Sequence, residues 1–419
     1  MRIWISASVL LGLISAGQAE NWPHWRGPTG NGVGSGAPPV EWSMTKNVRW
    51  KVPLPRRENS SPIVWDQQVF ITTTALAEGG ANESPPRLAF QLRSYDRRNG
   101  ELLWEQTSTT AQPHEGTHNT NGFASASPCT DGEHVYAPYG SRGIYCYTLD
   151  GKFVWKRDDF GPMKTLNAFG EGSSPTLVDD LILVPWDHIG PSALYALNKR
   201  TGETVWKASR AGPTCWSTPL VVEYEGAKQV IMNGQNRASA YDLATGEELW
   251  HCAGQTRRPV ASPVAGNGLI YVASGFQGAF IGAFRPDGRG DIKDTSHVAW
   301  TINHDAPDIA SPLLSSGRLY FFKGKSGLFS CVDAVTGQPH YFGQRIDGLD
   351  TVYASPIAAN GHVYLTGLSG TTVVIKDSPQ FEIVATNTLD EILGATPATV
   401  DGALFLRGDK HLYCIAEEK

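Results

Sequence analysis

The chain has 419 residues, a formal charge of −6 and no basic stripe, which argues against a nucleic-acid partner. Its 45 glycines, 27 prolines and 13 tryptophans suit a large single β domain rich in turns, not a helical one.

In chain order, residues 1–19 read as a secretory signal. Arg2 gives the positive start, residues 3–14 form an apolar run too short to cross a bilayer, and Gly17-Gln18-Ala19 supplies small residues for cleavage after Ala19. No cysteine follows directly to carry a lipid anchor, and no later segment is apolar enough to span a membrane. The expectation is a soluble extracytoplasmic protein, periplasmic or secreted. Residues 20–46 form an arm carrying Trp22, Trp25 and Trp42, expected to pack along the following domain because large aromatic surfaces seek cover. Residues 47–419 form that domain. Residues 48–52 look like the last strand of a unit whose other strands are missing.

A repeat then begins. A Ser-Pro or Thr-Pro pair opens each copy, with prolines at Pro62, Pro128, Pro175, Pro219, Pro263, Pro312, Pro356 and Pro397. After the first, wider gap the spacing runs from 41 to 49 residues, with four short strands to a copy, which is the period of a propeller blade. Asp131-Gly132, Asn267-Gly268, Asn360-Gly361 and Asp401-Gly402 mark one family of two-residue hairpin turns. Asn99-Gly100, Thr201-Gly202, Thr245-Gly246 and Thr336-Gly337 mark a second, and Trp104, Trp155, Trp206, Trp250 and Trp300 follow in the outer strands. These tryptophans are expected to wedge against the neighbouring blade. The last copy lacks its tryptophan strand, so residues 48–52 are predicted to complete it and close the ring. The predicted fold is all-β, a single eight-bladed propeller of four-stranded blades closed by an N-terminal strand, sufficient as a monomer.

The segments YALNKRTGETVW (195–206) and YDLATGEELW (241–250) resemble the tryptophan-docking repeat of the pyrroloquinoline-quinone-like propellers. This superfamily includes quinoprotein alcohol dehydrogenases, the propeller lipoprotein of outer-membrane assembly and secreted propellers of unassigned role. The resemblance covers roughly residues 45–416. It implies the fold more than the function, because one fold hosts unrelated sites.

Strand direction places the long loops on one face, where sites are commonly built. Insertions at 72–88, 106–125 and 158–173 all fall there. The last two precede adjacent inner strands, so His118, Asn119 and Asn121 are expected to meet Glu171 at the channel mouth. Asp187, Trp216, Arg237, Asp305 and Arg407 are placed around the same rim, as are His188, Arg257, Arg258, His304, Lys325, Arg345, Asp350 and Lys410. Such a rim suits a polar small molecule, a glycan or an envelope protein. The resemblance also implies a second chemistry, oxidation with pyrroloquinoline quinone and calcium. There Glu171 with Asn167 or Asn119 would hold the ion, Asp187 or Asp305 would act as base, and Trp216 would floor the quinone. The adjacent Cys-Cys pair of the dehydrogenases and the cytochrome C-x-x-C-H are absent from this sequence. Polysaccharide cleavage using His118 and Glu171 is a third reading. His114 and His118 lie in a glycine-containing loop with nothing to align them on a metal. Arg257-Arg258 reads as a solvated turn, and residues 287–291 as a plain turn lacking a full calcium loop.

The six cysteines are spread across the repeats. Cys215 and Cys252 are expected in loops of one face, where they could pair; the other four are expected as small buried groups in strands.

Overall fold

In a computed structural model, which describes residues 21–417, strands form eight separate sheets arranged as a propeller. Blade 1 holds Ile63–Trp65, Gln68–Leu76, Leu88–Asp96 and Leu102–Ala111. The six middle blades begin with Cys129–Thr130, Thr176–Val178, Leu220–Tyr224, Val264–Gly266, Leu313–Ser315 and Ile357–Ala359. Blade 8 begins with Ala398–Val400 and ends with Val48–Pro53, which runs antiparallel to His411–Ile415 with Trp50 opposite Cys414. Both ends of the domain therefore share one sheet, and no blade is left open at the seam. Part of the insertion expected at 72–88 is strand: blade 1 grows a taller central hairpin, pairing Leu76 with Leu88.

The repeated residues join each blade to the next in two ways. On the outside, the indole Nε1 of Trp50 donates to the Arg97 carbonyl, Trp104 to Leu149, Trp155 to Lys199 and Trp206 to Leu243, at 2.8 to 2.9 Å. Each ring lies on the turn glycine of the following blade. At Gly246, φ is +74° and an added Cβ would sit 2.5 Å from the Trp206 ring, so turn and tryptophan jointly demand glycine. Trp250 departs from this pattern. The residues 287–291 replace the turn it would meet, and Gly290–Asp291 adds a fifth, parallel strand to blade 4 beside Trp250 and His251. The expectation of a plain turn there is corrected.

On the inside, from blade 2 to blade 8, the hydroxyl before the blade-opening proline accepts a hydrogen bond from the backbone of its counterpart one blade earlier. Ser61 N donates to Ser127 Oγ, Ser127 to Ser174, Ser174 to Thr218, Thr218 to Ser262, Ser262 to Ser311, Ser311 to Ser355 and Ser355 to Thr396. These links, 2.8 to 3.1 Å long, run through all eight blades as a belt around the channel. Proline closes the backbone donor of the next position, and Ser or Thr supplies the acceptor that the neighbouring blade needs.

The arm runs along the inner strands. Trp22 pairs through its backbone with Val64 of blade 1, and Pro23 accepts from Thr130 of blade 2. Asn31 exchanges two hydrogen bonds with Ala265 of blade 5, and Gly32 and Gly34 bracket Ala358 of blade 7. Arg26, 1% exposed, donates from Nη1 to the Pro356 carbonyl at 2.9 Å and from Nη2 to the Pro312 carbonyl at 2.5 Å. The arm thus occupies the channel on the side of the hairpin turns, leaving a smaller cavity of about 110 Å³ between it and the inner strands of blades 3 to 5. Trp42 then docks on blade 7, its N–H on Asn387 Oδ1.

All six cysteines are free and buried. The expected Cys215–Cys252 pairing is corrected: Cys252 lies within the strand Glu248–Ala253, opposite Ala238, and Cys215 donates its thiol to the Asn233 carbonyl. The proposed signal at 1–19 lies outside the described residues.

Candidate functional site

Above the arm, the channel keeps a cavity of about 260 Å³. Its walls are built from the loops that enter the blades, so every blade contributes: Asn59 and Ser61, then Thr120 and Asn121, Phe169, Trp216, Arg258, Ile309, Tyr353 and Thr396, with Lys325 from the central loop of blade 6. Trp25 of the arm lies at its base. The cavity therefore lies at the long-loop face, with the arm across its base.

The two long loops expected to approach each other are stitched together. His118 N and Asn121 Nδ2 both donate to the Phe169 carbonyl, at 3.1 and 2.9 Å, and the Trp216 indole donates to the Gly170 carbonyl at 2.7 Å. Ser125 Oγ donates to Asn121 Oδ1 at 2.5 Å, so both ends of the Asn121 amide shape the loop. His118 meets the edge of the Phe169 ring, with centroids 5.0 Å apart. His118 Nδ1 lies 2.7 Å from the Thr120 hydroxyl and accepts from the Thr120 N–H at 3.2 Å; with both groups donating, Nε2 carries the proton of the neutral ring. Burial, and then the charges of Lys325, Arg258 and Arg57, hold the imidazole below its ordinary pKa, so neutral is its form at pH 7.

Of the residues placed on the rim from sequence, His118, Asn121, Trp216, Arg258 and Lys325 line the cavity, whereas Asn119, Glu171, Asp187, Arg237, Asp305 and Arg407 do not. Asn119 is exposed above it, its carbonyl accepting from Arg57. Glu171 does not meet His118. It turns behind the loop, accepts from the backbone and hydroxyl of Ser141, and lies 3.7 Å from His114. Burial raises its pKa. Asp187 is locked in a buried ion pair with Arg210, whose Nε contacts both carboxylate oxygens at 2.8 and 3.1 Å. Arg237 pairs with Glu248 outside the cavity, and Asp305 sits between His304 and Lys323. Arg407 is buried at the seam between blades 8 and 1.

Two residues of this wall carry more than their sequence setting indicates. Arg258 is not a solvated turn residue. It is 8% exposed, its guanidinium 3.5 Å from the Phe276 ring centre and 3.4 Å from Asp308, while Arg257 alone points outward. Lys325 Nζ stands 3.7 Å from the same Asp308 oxygen.

Pyrroloquinoline quinone with calcium requires carboxylate or amide oxygens converging on the ion. Of the candidate ligands, Glu171 is held by Ser141, Asn167 sits in a left-handed turn of the same loop and Asn119 stands outside. Among the described residues no three His, Cys, Asp or Glu side chains are grouped to hold a metal ion. The donor set does not fit the calcium-bound cofactor.

An eight-bladed propeller with a walled channel is the class this fold and cavity define. Residues 89–339 match the PQQ-like family model described as outer membrane protein assembly factor BamB, and the chain belongs to this family. Among curated proteins, tetrathionate hydrolase of Acidithiobacillus ferrooxidans is 28% identical over 225 residues, which is 47% of this chain and 42% of that protein, so the match spans less than half of the relative's length. Among solved structures, BamB from Moraxella catarrhalis aligns with a TM-score of 0.58 at 12% identity, covering 88% of this chain and 98% of that one. The quinohemoprotein alcohol dehydrogenase from Comamonas testosteroni gives 0.64 at 10% identity, covering 95% and 81%. A europium-containing methanol dehydrogenase gives 0.62 at 11%, covering 94% and 91%. At these identities the likenesses establish the fold. No helix among the described residues is long and apolar enough to cross a membrane.

Proposed function

We propose that this chain is an exported binding module that takes a polar small molecule into its channel from the long-loop face. The observation that carries this reading is the cavity itself: a base made by the arm and a wall that combines aromatic rings with convergent polar groups. Trp216, Phe169 and Tyr353 offer apolar faces, and His118 Nε2–H, Arg258 and Lys325 offer donors. The extracytoplasmic location rests on the signal read at residues 1–19. A scaffold role toward an envelope protein would use the same face, in keeping with the family's description as an assembly factor.

The test is a thermal-shift screen of the purified protein with neutral sugars, small carboxylates, sulfur oxyanions including tetrathionate, and calcium with pyrroloquinoline quinone. A Gly172→Phe variant serves as the control. Gly172 lines the cavity and an added Cβ there meets nothing closer than the Trp216 ring at 3.6 Å, so a phenyl ring at this position is expected to occupy ligand space. At least one sugar or anion is expected to raise the melting temperature of the wild type and leave Gly172→Phe unmoved. Stabilisation that survives in Gly172→Phe, or none from any compound, overturns the reading.

A further inference from the structure

The chain as a whole is acidic, at −6, yet the channel mouth is not. Arg258 and Lys325 both face the cavity and share one counter-charge, Asp308, which is 6% exposed. Both contacts fall on the same oxygen, Oδ2, at 3.4 and 3.7 Å, longer than charge-assisted hydrogen bonds usually are. Among the described residues, Asp308 Oδ2 is the one hydrogen-bond acceptor of the Arg258 side chain. Its Nε is buried without a partner, as is Asp308 Oδ1. A third cation, Arg57, lies close by, 3.3 Å from its own partner Asp409. Phe276 fixes the guanidinium plane from one side, so the group is held in place and its hydrogen-bonding capacity is barely used.

A buried, rigid guanidinium with spare donors, next to an ammonium group that shares its only carboxylate, is an arrangement short of one negative charge. We infer that the channel binds a small oxyanion, a carboxylate or a sulfur or phosphorus oxyanion, seated between Arg258 and Lys325. This rests on the channel-binding reading and adds the charge class of the ligand. The arginine offers its planar fork to two oxygens and the lysine a point charge. Neutral His118 contributes its Nε2–H without adding repulsion or needing to titrate. The aromatic rings of the wall, among them Phe169 beside Arg258 and Tyr353 beside Lys325, accommodate whatever body the anion carries.

Isothermal titration at low ionic strength with sulfate, phosphate, benzoate and tetrathionate, against glucose and maltotriose as neutral probes, separates the possibilities. The preferred anion is expected to bind wild type and to lose affinity with added sodium chloride. Lys325→Gln, a partly exposed change that leaves the fold intact, should bind it about 10- to 100-fold more weakly, the loss that one hydrogen bond to a charged group carries. Arg258→Gln should do the same, and Arg258→Lys should not rescue it, because a fork is needed. Comparing the anions tells a carboxylate ligand from a sulfate-type or phosphate one. If only neutral sugars bind, and Gly172→Phe blocks them, the anion assignment fails while the channel reading stands. If anion affinity is unchanged in Lys325→Gln, the assignment also fails. If nothing binds, or binding persists in Gly172→Phe, both fail.

Discussion

Replacing Trp22 with alanine is expected to lower the unfolding free energy by about 3–5 kcal/mol, the usual cost of emptying a fully buried tryptophan site. Trp22 is 0% exposed and sits in the core cluster that also holds Trp42, Trp50, Val64 and Tyr413. Its backbone makes two hydrogen bonds with Val64, and its ring lies against Gly27, where an added Cβ would come within 2.8 Å. An N-terminal leader that floated free would give a change within about 0.5 kcal/mol. A shift of the denaturation midpoint, measured in chemical denaturant, separates the two. The same variant should also loosen the base of the channel, because Trp25 and Arg26 follow immediately. The arm is therefore a structural part of the cavity, and ligand affinity should fall along with stability.

Arg407→Met is expected to cost a similar amount, about 3–5 kcal/mol, for a different physical reason. Arg407 is 1% exposed at the seam where blade 8 meets blade 1. Its Nη1 donates to the Ser60 carbonyl and hydroxyl and to the Thr72 carbonyl. Beyond these lies Glu58, itself buried and held by Thr74 and the backbone of Ala124. Burial lowers the Arg407 pKa to about 10 and raises that of Glu58, so both ions are held against a desolvation cost. Methionine removes the cation, leaving the acceptors of blade 1 unpaired and the Glu58 carboxylate without its compensating charge. The pH dependence has a defined sign. A carboxyl whose folded pKa lies above its unfolded value takes up a proton on folding, so stability falls as pH rises from the unfolded value, about 4.3, through the folded one. In Arg407→Met this slope should steepen, and Glu58→Gln added to it should flatten the slope and restore part of the loss. Denaturant titrations at pH 5 and pH 8 measure both. Equal stability of Arg407→Met and wild type at both pH values would mean that the seam does not depend on this residue.

The fold was legible because its determinants are local and repeated. Serine- or threonine-proline pairs, glycine turns and outer tryptophans recur once per blade, and the missing outer strand of the last blade pointed to residues 48–52. The Ser and Thr before each proline were visible too, but their purpose was not, since the belt they form joins residues some 41 to 66 positions apart. The site was less legible because it depends on which way each loop residue turns. His118, Asn121 and Trp216 were found by lying next to inner strands. Glu171 was misplaced: Gly170 has φ of +86° and Gly172 faces the channel, so the residue between them points out to Ser141. Arg257 and Arg258 are neighbours of the same type with opposite fates, because φ of +44° at Arg258 turns its side chain inward toward Phe276. Asp187 and Arg407 were placed on the rim, but their partners, Arg210 and the Ser60–Thr74 region, lie at the end of another strand or in another blade, and both residues are structural.

The channel mouth is the place where a ligand is expected to sit. Crystals of the protein soaked in selenate, with anomalous data collected at the selenium edge, test this directly. The predicted result is a selenium peak inside the channel, within contact distance of Arg258 and Lys325 and above Trp25. Peaks confined to the outer surface or to the hairpin-turn face, with none between those two residues, would contradict it.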